Sequence, residues 1–414
     1  MAAVMPSQDP VLVAPIPWLL GPRRDLAFYL GSCLAGWAIV AIALLAAWAF
    51  PDALGHRLRV GPFVFSVWLA VWTIWHFLLD IPHGWGTYAR TLLDPDERAR
   101  RKGLLILSCG WFLVGPALLA GTQLAIAGGY ALPSARGKVF IDFMLLVQLW
   151  TYHHVVRQHW GMLALYRRKA GETTGARVDR WAFDALVYLP LVWFITGGVF
   201  QAAGYPSHWQ HVPVLAGFSV ADVVQPASVS IFVGTVLAYG LYQWHLGARR
   251  RNVPKLLLLA GIVPLHVAAF AHPLLATLAG PIVVIGHNIQ YLCLVYHYGQ
   301  ARYAKRPERR YRWARLAFRG LPLFMLCALA YVYVFRLGPW VDWIGLRALR
   351  GLVEGLLWVP ELTQEVARQC ARQMIATFMA GFVMQHYFLD SFIWRVREDD
   401  EMRRILLTMP DVAS

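Results

Sequence analysis

The sequence predicts an all-α protein, a polytopic transmembrane helix bundle of about ten spans with both termini on the cytoplasmic side. Of its 414 residues, 58% are hydrophobic and only 15% are charged. Soluble domains average about 25% charged residues, so this composition favours lipid as the surrounding medium. The 19 Trp and 17 Tyr residues agree with this, because amphipathic rings are enriched at bilayer interfaces.

The basic character of the chain does not indicate a nucleic-acid partner. The formal net charge is +15, but Lys and Arg occur in short clusters between apolar runs. That arrangement is typical of loops that fix membrane topology, not of a continuous binding surface. We therefore expect no nucleic acid among the partners of this protein.

The five cysteines are scattered without CxxC spacing, and most of them lie inside apolar runs. This is typical of small buried hydrophobic residues, so neither a thiolate metal site nor a disulfide framework is predicted. The N-terminus has no basic segment before its first apolar stretch, and we therefore expect no cleaved signal peptide.

Each predicted span is a run of roughly 20 mostly apolar residues. The runs are 26–50, 62–83, 103–128, 138–164, 181–204, 221–247, 254–273, 275–300, 316–338 and 371–395. An amphipathic segment at 340–368 is expected to lie on the membrane surface. The predicted organisation is a cytoplasmic or interfacial segment over 1–25, a single transmembrane domain over 26–395 and a cytoplasmic tail over 396–414.

The distribution of Lys and Arg sets the expected orientation. With the N-terminus inside, the inside segments carry the basic clusters, whereas the outside loops at 204–220 and 273–280 carry no Lys or Arg. The expected location is a bacterial-type inner or cytoplasmic membrane.

In one inside loop, the sequence Asp94-Pro95-Asp96-Glu97 predicts a short capped helix.

Histidines form a belt at one depth of the predicted bundle, near its cytoplasmic side. The even-numbered spans all run from outside to inside, and four of them carry polar residues near the inside end. These residues are His76, Asp80 and His83 on the second span, His153, His154, Arg157, Gln158 and His159 on the fourth, His287, Asn288, Gln290 and His297 on the eighth, and His386 and Asp390 on the tenth. Ionisable groups at membrane depth are costly and by default indicate function.

Helical spacing puts several of these side chains on shared faces. The cluster on the second span has the spacing i, i+4 and i+7, and the pair on the tenth span is i, i+4. On the fourth span, His154 and His159 are five residues apart. Both can face the same way only if that span contains a π-type distortion; otherwise one of the two lies behind the other.

We interpret the belt as a metal site. A lone membrane histidine more often makes an interhelical hydrogen bond, and this remains the interpretation for His245, His266 and His272. The belt offers far more ligands than the roughly three or four that one zinc ion needs, which favours two metal ions, most simply iron. The predicted ligands are His76, Asp80, His83, His153, His154, His159, His287, His297, His386 and Asp390.

The clusters HxxxDxxH, HHxxxxH, HNxQ and HxxxD resemble, in type, the histidine boxes of integral-membrane non-haem di-iron oxygenases and desaturases. The resemblance implies an oxidoreductase that activates dioxygen on a lipophilic substrate, by hydroxylation, desaturation or oxidative cleavage. It further implies Asp80 and Asp390 as carboxylate ligands and a separate electron donor at the cytoplasmic face. Gln158, Asn288 and Gln290 would orient imidazoles, and Arg157 would hold an anionic group of the substrate.

The chain is also similar in helical architecture to bacterial carotene-cleaving oxygenases, which hold iron by histidines between spans. Three other functions stay open at this point. A zinc hydrolase of a lipid amide or ester would use a zinc-bound water as its nucleophile. A b-type haem protein would use paired histidines as axial ligands. A transporter would use the His and Asp residues to relay protons.

Overall fold

The computed structural model describes residues 16–49, 58–60, 63–205, 208–215, 217–247, 251–336 and 364–407. These residues are almost entirely helical, which confirms the all-α prediction. The exceptions are two short antiparallel hairpins, in which β1 Leu58–Val60 pairs with β2 Phe63–Phe65 and β3 Pro213–Leu215 pairs with β4 Phe218–Ser219. Of the predicted surface segment at 340–368, residues 340–363 lie outside the described part of the chain.

Helices account for nearly all of the remaining described residues. In chain order they are α1 Pro22–Arg24, α2 Ser32–Ala49, α3 Val67–Trp75, α4 Ile81–Leu92, α5 Pro95–Arg100, α6 Lys102–Ser108, α7 Trp111–Ala127, α8 Ala135–Lys169, α9 Ala176–Thr196, α10 Gly198–Ala202, α11 Val220–His245, α12 Val253–Ala271, α13 Pro273–Ala276, α14 Ala279–Tyr303, α15 Arg312–Ala317, α16 Leu321–Arg336, α17 Gln364–Ile393 and α18 Asp400–Leu407. Two π-helical segments, Asp25–Leu30 and His76–Asp80, and two 3-10 turns, His208–His211 and Arg309–Tyr311, adjoin them.

Six helical runs are long and apolar enough to cross a membrane, and they begin and end within a few residues of predicted spans. They are Pro22–Ala49, Lys102–Ala127, Ala135–Lys169, Val220–His245, Val253–Ala271 and Ala279–Tyr303. A seventh candidate is a pair of helices, Arg309–Ala317 and Leu321–Tyr333, bent by 91°. These runs support a multi-pass membrane protein. The predicted spans at 62–83, 181–204 and 371–395 are largely helical as well, but the total of ten and the orientation stay predictions.

The chain divides into two compact units, each made of separate stretches of sequence. The first comprises Met1–Val40, Trp160–Val283 and Pro410–Ser414, and the second comprises Ala41–His159 and Val284–Met409.

Buried carboxylates organise the first unit. Asp25 is fully buried and accepts hydrogen bonds from the backbone N–H groups of Leu19 and Leu20 at 2.7 and 2.8 Å, and from the hydroxyl of Tyr166 at 3.0 Å. Asp179 in α9 accepts a bond of 2.7 Å from the hydroxyl of Tyr239 and pairs with the buried cations Arg167 and Lys255. Since a buried charge is costly without partners, these contacts tie the ends of α8, α9, α11 and α12 together.

Glycine allows close helix packing in the second unit, where α7 lies against α17. A Cβ added at Gly381 would lie 2.7 Å from the backbone Cα of Phe112, and one at Gly115 would lie 2.5 Å from Cβ of Thr377. Small residues at such positions are typical of helix pairs in membranes, because they let two backbones approach and increase van der Waals contact.

An ion network ties together the loop ends of the second unit. Asp94 caps α5 by accepting hydrogen bonds from the N–H groups of Asp96 and Glu97, as its sequence predicts. Its carboxylate also accepts bonds from Nε of Arg302 at 2.7 Å and from the hydroxyl of Tyr303 at 2.8 Å. The cap of one short helix therefore also holds the end of α14.

Asp96 extends the same network. It pairs with Arg306 at 3.0 Å and with Arg310 at 3.1 Å, and it accepts a hydrogen bond from the hydroxyl of Tyr311. Burial acts to raise the pKa of the Asp96 carboxyl, but the Tyr311 hydrogen bond and the charges of Arg310 and Arg306 outweigh burial and lower that pKa. Arg306 also pairs with Glu401 of α18 at 2.6 Å.

The packing of α7 against α17 generates a stability prediction. Gly381→Ala places a methyl group against the backbone of Phe112 and should lower the free energy of unfolding by about 1–3 kcal/mol, as overpacking does. Gly121→Ala on α7 is the matched control, because nothing lies within 4 Å of its added Cβ. The free energy of unfolding of both variants is measured in mixed detergent micelles. Equal values for the two would contradict the close approach of α7 and α17.

Candidate metal site

A π-helical segment immediately precedes the first histidine of the site. In the segment His76–Asp80, the N–H of Ile81 bonds to the carbonyl of His76, five residues back. Pro82 follows and has no N–H to continue a regular helical ladder. His83 then lies in the first turn of α4, with 5% of its surface exposed. Such π-segments occur frequently at functional sites.

Three buried histidines from three helices converge in the second unit. They are His83 of α4, His154 of α8 and His386 of α17, and one ring nitrogen from each lies within 4.8 Å of the other two. The ring centroids of His386 are 4.7 Å from His83 and 4.9 Å from His154. These three residues are called the His trio below. Three convergent imidazole nitrogens are a set of donors that can hold a transition-metal ion.

Hydrogen bonds hold the rings of two members of the His trio in place. Nδ1 of His83 donates to the backbone carbonyl of Asp80, so the neutral ring of His83 carries its lone pair on Nε2. Nδ1 of His386 lies 2.6 Å from Oγ1 of Thr87, which is also within hydrogen-bond distance of Asp390 at 2.6 Å and of the Tyr291 hydroxyl at 2.8 Å. Because the Thr87 hydroxyl has one proton for these three partners, Nδ1 of His386 can act as donor or as acceptor.

Ring nitrogens of His83 and His386 face each other. Nε2 of His83 and Nε2 of His386 are 3.0 Å apart, and both rings are buried. At this distance the two nitrogens share a hydrogen bond when His386 carries its proton on Nε2, and they repel each other when both carry lone pairs. A metal ion bound to both nitrogens would remove that repulsion, so the arrangement also suits a metal ion.

The carboxylate of Asp390 holds the surroundings of the His trio in place. Besides the bond from Thr87, it accepts one from the hydroxyl of Tyr291 at 2.9 Å and one from the side-chain amide of Gln158. The same amide nitrogen lies 3.0 Å from Nε2 of His154. One buried carboxylate therefore supports both His386 and His154 through intermediate groups, as is usual around metal-binding imidazoles.

Ring packing fixes the orientation of His154. The ring of Tyr387 stacks on it at 4.1 Å with an interplanar angle of 23°, and the hydroxyl of Tyr387 bonds to Oγ1 of Thr151 at 3.0 Å. Both side chains therefore limit rotation of the His154 ring.

His287 of α14 lies beside the His trio. Its ring centroid is 5.3 Å from that of His83 and 5.4 Å from that of His154, and it is 1% exposed. Its Nε2 is buried and has no hydrogen-bond partner among the described residues. His287 is therefore the nearest candidate for a fourth ligand. His159 lies beyond it, with a ring distance of 6.0 Å to His287.

Other predicted site residues lie outside the His trio. Nδ1 of His76 bonds to the carboxylate of Asp80 at 2.9 Å, and the side chain of His76 is 36% exposed. His153 is exposed and His297 is half-buried, so neither ring joins the group. Asp390 lies 3.8 Å from Nδ1 of His386, on the side of that ring away from the convergent nitrogens.

The residues predicted to orient imidazoles take different positions relative to the His trio. Gln158 makes the bonds given above, whereas Asn288 and Gln290 are buried on α14. Arg157 is half-buried. No π-segment interrupts α8 between His154 and His159, so the two side chains do not face the same way. His154 joins the His trio, while the ring of His159 lies 6.0 Å from that of His287.

Two important residues were missed by the sequence reasoning, and a spacing rule could have found them. Thr87 lies four residues after His83, and Tyr291 lies four residues after His287, so each shares a helix face with a histidine of the site. Their hydroxyl oxygens are 2.8 Å apart. Neutral hydroxyl side chains are not usual metal ligands, which is why a search for ligand residues gave no signal.

A small cleft of about 30 Å³ opens beside the His trio. Its walls include His83 and His386 on one side and the apolar or aromatic side chains of Tyr331, Phe382 and Tyr387 on the other. The cleft has room for about one small molecule the size of water or dioxygen.

The spacing of His83 and His386 differs from that of two axial haem ligands. Axial nitrogens on opposite sides of a haem iron are separated by about twice the usual metal–nitrogen distance of roughly 2 Å. Nε2 of His83 and Nε2 of His386 are 3.0 Å apart, so this pair is not placed for axial ligation of haem. Three imidazole donors suit a single ion such as iron, zinc or copper.

Comparisons of the chain with protein-family models, curated proteins and solved structures found no match. The chemistry of the site therefore has to be inferred from its own residues.

The Thr87 hydroxyl generates a prediction about metal affinity. Thr87→Val keeps the shape of the side chain but leaves Nδ1 of His386 without its hydrogen-bond partner Thr87. Affinity for added Zn²⁺, measured by competition with a chromophoric chelator, should fall roughly 10- to 100-fold, as is typical when the partner of a metal-bound imidazole is lost. The control is Thr122→Val, since Thr122 bonds only to the carbonyl of Leu118 in the described structure. The role of Thr87 would be refuted by equal affinities in the two variants.

Proposed function

We propose that the His trio holds one iron ion and that this protein is a membrane oxidoreductase that activates dioxygen on a lipophilic substrate. The observation that carries the proposal is the convergence of one ring nitrogen from each of three buried histidines within 4.8 Å, with Nε2 of His83 and Nε2 of His386 3.0 Å apart. Bound iron would supply reductive activation of dioxygen. His287 is the candidate for an additional ligand.

The chain's own residues would serve this reaction in three ways. The Asp390 network would hold the imidazoles of His386 and His154 in position for a metal. Burial of the His trio excludes bulk water from the centre. The adjacent cleft, with its apolar and aromatic walls, has room for a molecule of the size of dioxygen.

A zinc hydrolase is the second candidate. A hydrolase needs a carboxylate or imidazole free to take a proton from the zinc-bound water. Asp390 is poorly suited to this role, because it already accepts bonds from Thr87, Tyr291 and Gln158. Asp80 lines the cleft, but one of its oxygens is bound to His76. This distribution favours the oxidoreductase, while Asp80 keeps the hydrolase as an alternative.

The sequence predicts two iron ions, and the described residues bring together one group of three histidines within ligand distance of one another. We therefore propose one ion at the His trio as the working centre. Reducing equivalents would come from a separate cytoplasmic donor that docks on the basic loops, in agreement with the electrostatic steering that such surfaces provide.

The proposal predicts about one iron per chain in protein purified without oxygen, with no haem Soret band in the absorption spectrum. His83→Ala and His386→Ala should each remove most of the iron. His245→Ala should retain it, because His245 is exposed and its Nδ1 bonds only to the carbonyl of Leu241 in the described structure. Elemental analysis gives the metal content, and size-exclusion chromatography confirms that each variant remains folded.

A second measurement tests for reactivity toward dioxygen. Nitric oxide, a stand-in for dioxygen, should bind the ferrous protein and give a half-integer-spin EPR signal that His386→Ala lacks. A content of one zinc per chain would favour the hydrolase over the oxidoreductase. A Soret band would rule out the non-haem centre. A folded, metal-free protein that does not take up added iron would rule out every metal-based function.

A further inference from the structure

A second and much larger cleft lies in the second unit, away from the His trio. It has a volume of about 590 Å³ and lies between the end of α14 and the segment of α15 that follows the Arg309–Tyr311 turn. The polar part of its lining consists of Gln300, Tyr303, Arg312, Arg315 and Arg319. None of these residues belongs to the metal site.

The arginines of this cleft differ from their neighbours in how their charges are compensated. Arg302, Arg306 and Arg310, which do not line the cleft, each pair with a carboxylate of the loop network. Among the described residues, no carboxylate lies within ion-pair distance of the three that do line it: Arg312, Arg315 and Arg319.

Within the described part of the chain, the contacts of these three cleft arginines do not neutralise their charges. Arg315 donates to the backbone carbonyl of Arg306 at 2.6 Å, and Arg312 lies over the ring of Trp313 at 4.4 Å. Three like charges around one concavity repel each other and attract an anion, and a guanidinium group can bond two phosphate oxygens at once.

Two apolar side chains of the lining are partly exposed. Trp313 is 58% exposed and Leu316 is 44% exposed, and both lie on α15 together with Arg312 and Arg315. This helix is bent by 91° from the following helix, Leu321–Tyr333. If the latter crosses the bilayer, α15 lies parallel to the membrane surface, where Trp is enriched and Arg can reach headgroups.

We propose that this cleft binds the headgroup of an anionic phospholipid. The three guanidinium groups would contact the phosphodiester, while Trp313 and Leu316 would pack against the glycerol and the first part of the acyl chains. An apolar wall beside the cations favours a lipid over free phosphate, which has nothing to bury against it. Basic pockets between membrane helices recognise acidic lipids by this combination of charge and apolar contact.

Native mass spectrometry of the full-length protein in detergent tests the proposal, with phosphatidylglycerol and phosphatidylcholine added at equal concentrations. Phosphatidylglycerol should bind with higher affinity. The triple variant Arg312→Gln, Arg315→Gln, Arg319→Gln should lose roughly 100-fold in that affinity, since each surface arginine contributes about fivefold toward an acidic lipid. The metal content of this variant should equal that of the unaltered protein, which also shows that it folds.

The matched control removes the same charge from other loops. Arg23→Gln, Arg24→Gln and Arg177→Gln together should leave the preference for phosphatidylglycerol intact. Equal loss in both triple variants would mean that net charge, not this cleft, attracts the lipid, and it would overturn the proposal. So would equal binding of the two lipids, or displacement of phosphatidylglycerol by millimolar inorganic phosphate.

Discussion

The structure of the second unit depends on one buried carboxylate. Asp390 is 6% exposed and accepts hydrogen bonds from Thr87 on α4, Gln158 on α8 and Tyr291 on α14. A carboxyl group in a protein interior is stable only when hydrogen-bond partners surround it. The need to satisfy this carboxylate therefore brings four helices together and fixes the positions of the groups that orient His386 and His154.

Close packing makes that convergence possible. A Cβ added at Gly86 would lie 2.7 Å from Cε1 of Tyr291, so a larger residue on α4 would push away the ring whose hydroxyl reaches Asp390. Gly115 and Gly381 give α7 and α17 a similar close approach on the other side of α17. The positions of the imidazoles therefore follow from small residues on the helices as much as from the histidines themselves.

The general architecture could be predicted from the sequence, because apolar runs long enough to cross a bilayer rarely occur in soluble proteins. The six strongest spans were found with nearly correct ends, and Asp94 was recognised as a helix cap. The members of the His trio were all among the predicted ligands, since buried polar groups on several spans tend to meet.

The selection among the predicted ligands could not be made from the sequence. Helical spacing relates residues on one helix, but the rotation of each helix about its axis is set by packing against the others. For this reason the sequence did not show that His153 points outward while His154 points inward. Next to the site, a π-helical segment is found at His76–Asp80, and none interrupts α8. Pro82 and the packing around α4 determine where the regular helical hydrogen bonding is broken.

The central claim is that imidazoles of the His trio bind one metal ion, and X-ray absorption at the iron K-edge of the purified protein tests it most directly. The account predicts a first shell of nitrogen and oxygen donors, outer-shell scattering from the imidazoles of His83, His154 and His386, and no iron–iron vector. A spectrum without imidazole scattering, with sulfur ligands or with a porphyrin pattern would contradict it. An iron–iron vector would instead support the two-iron site that the sequence predicts.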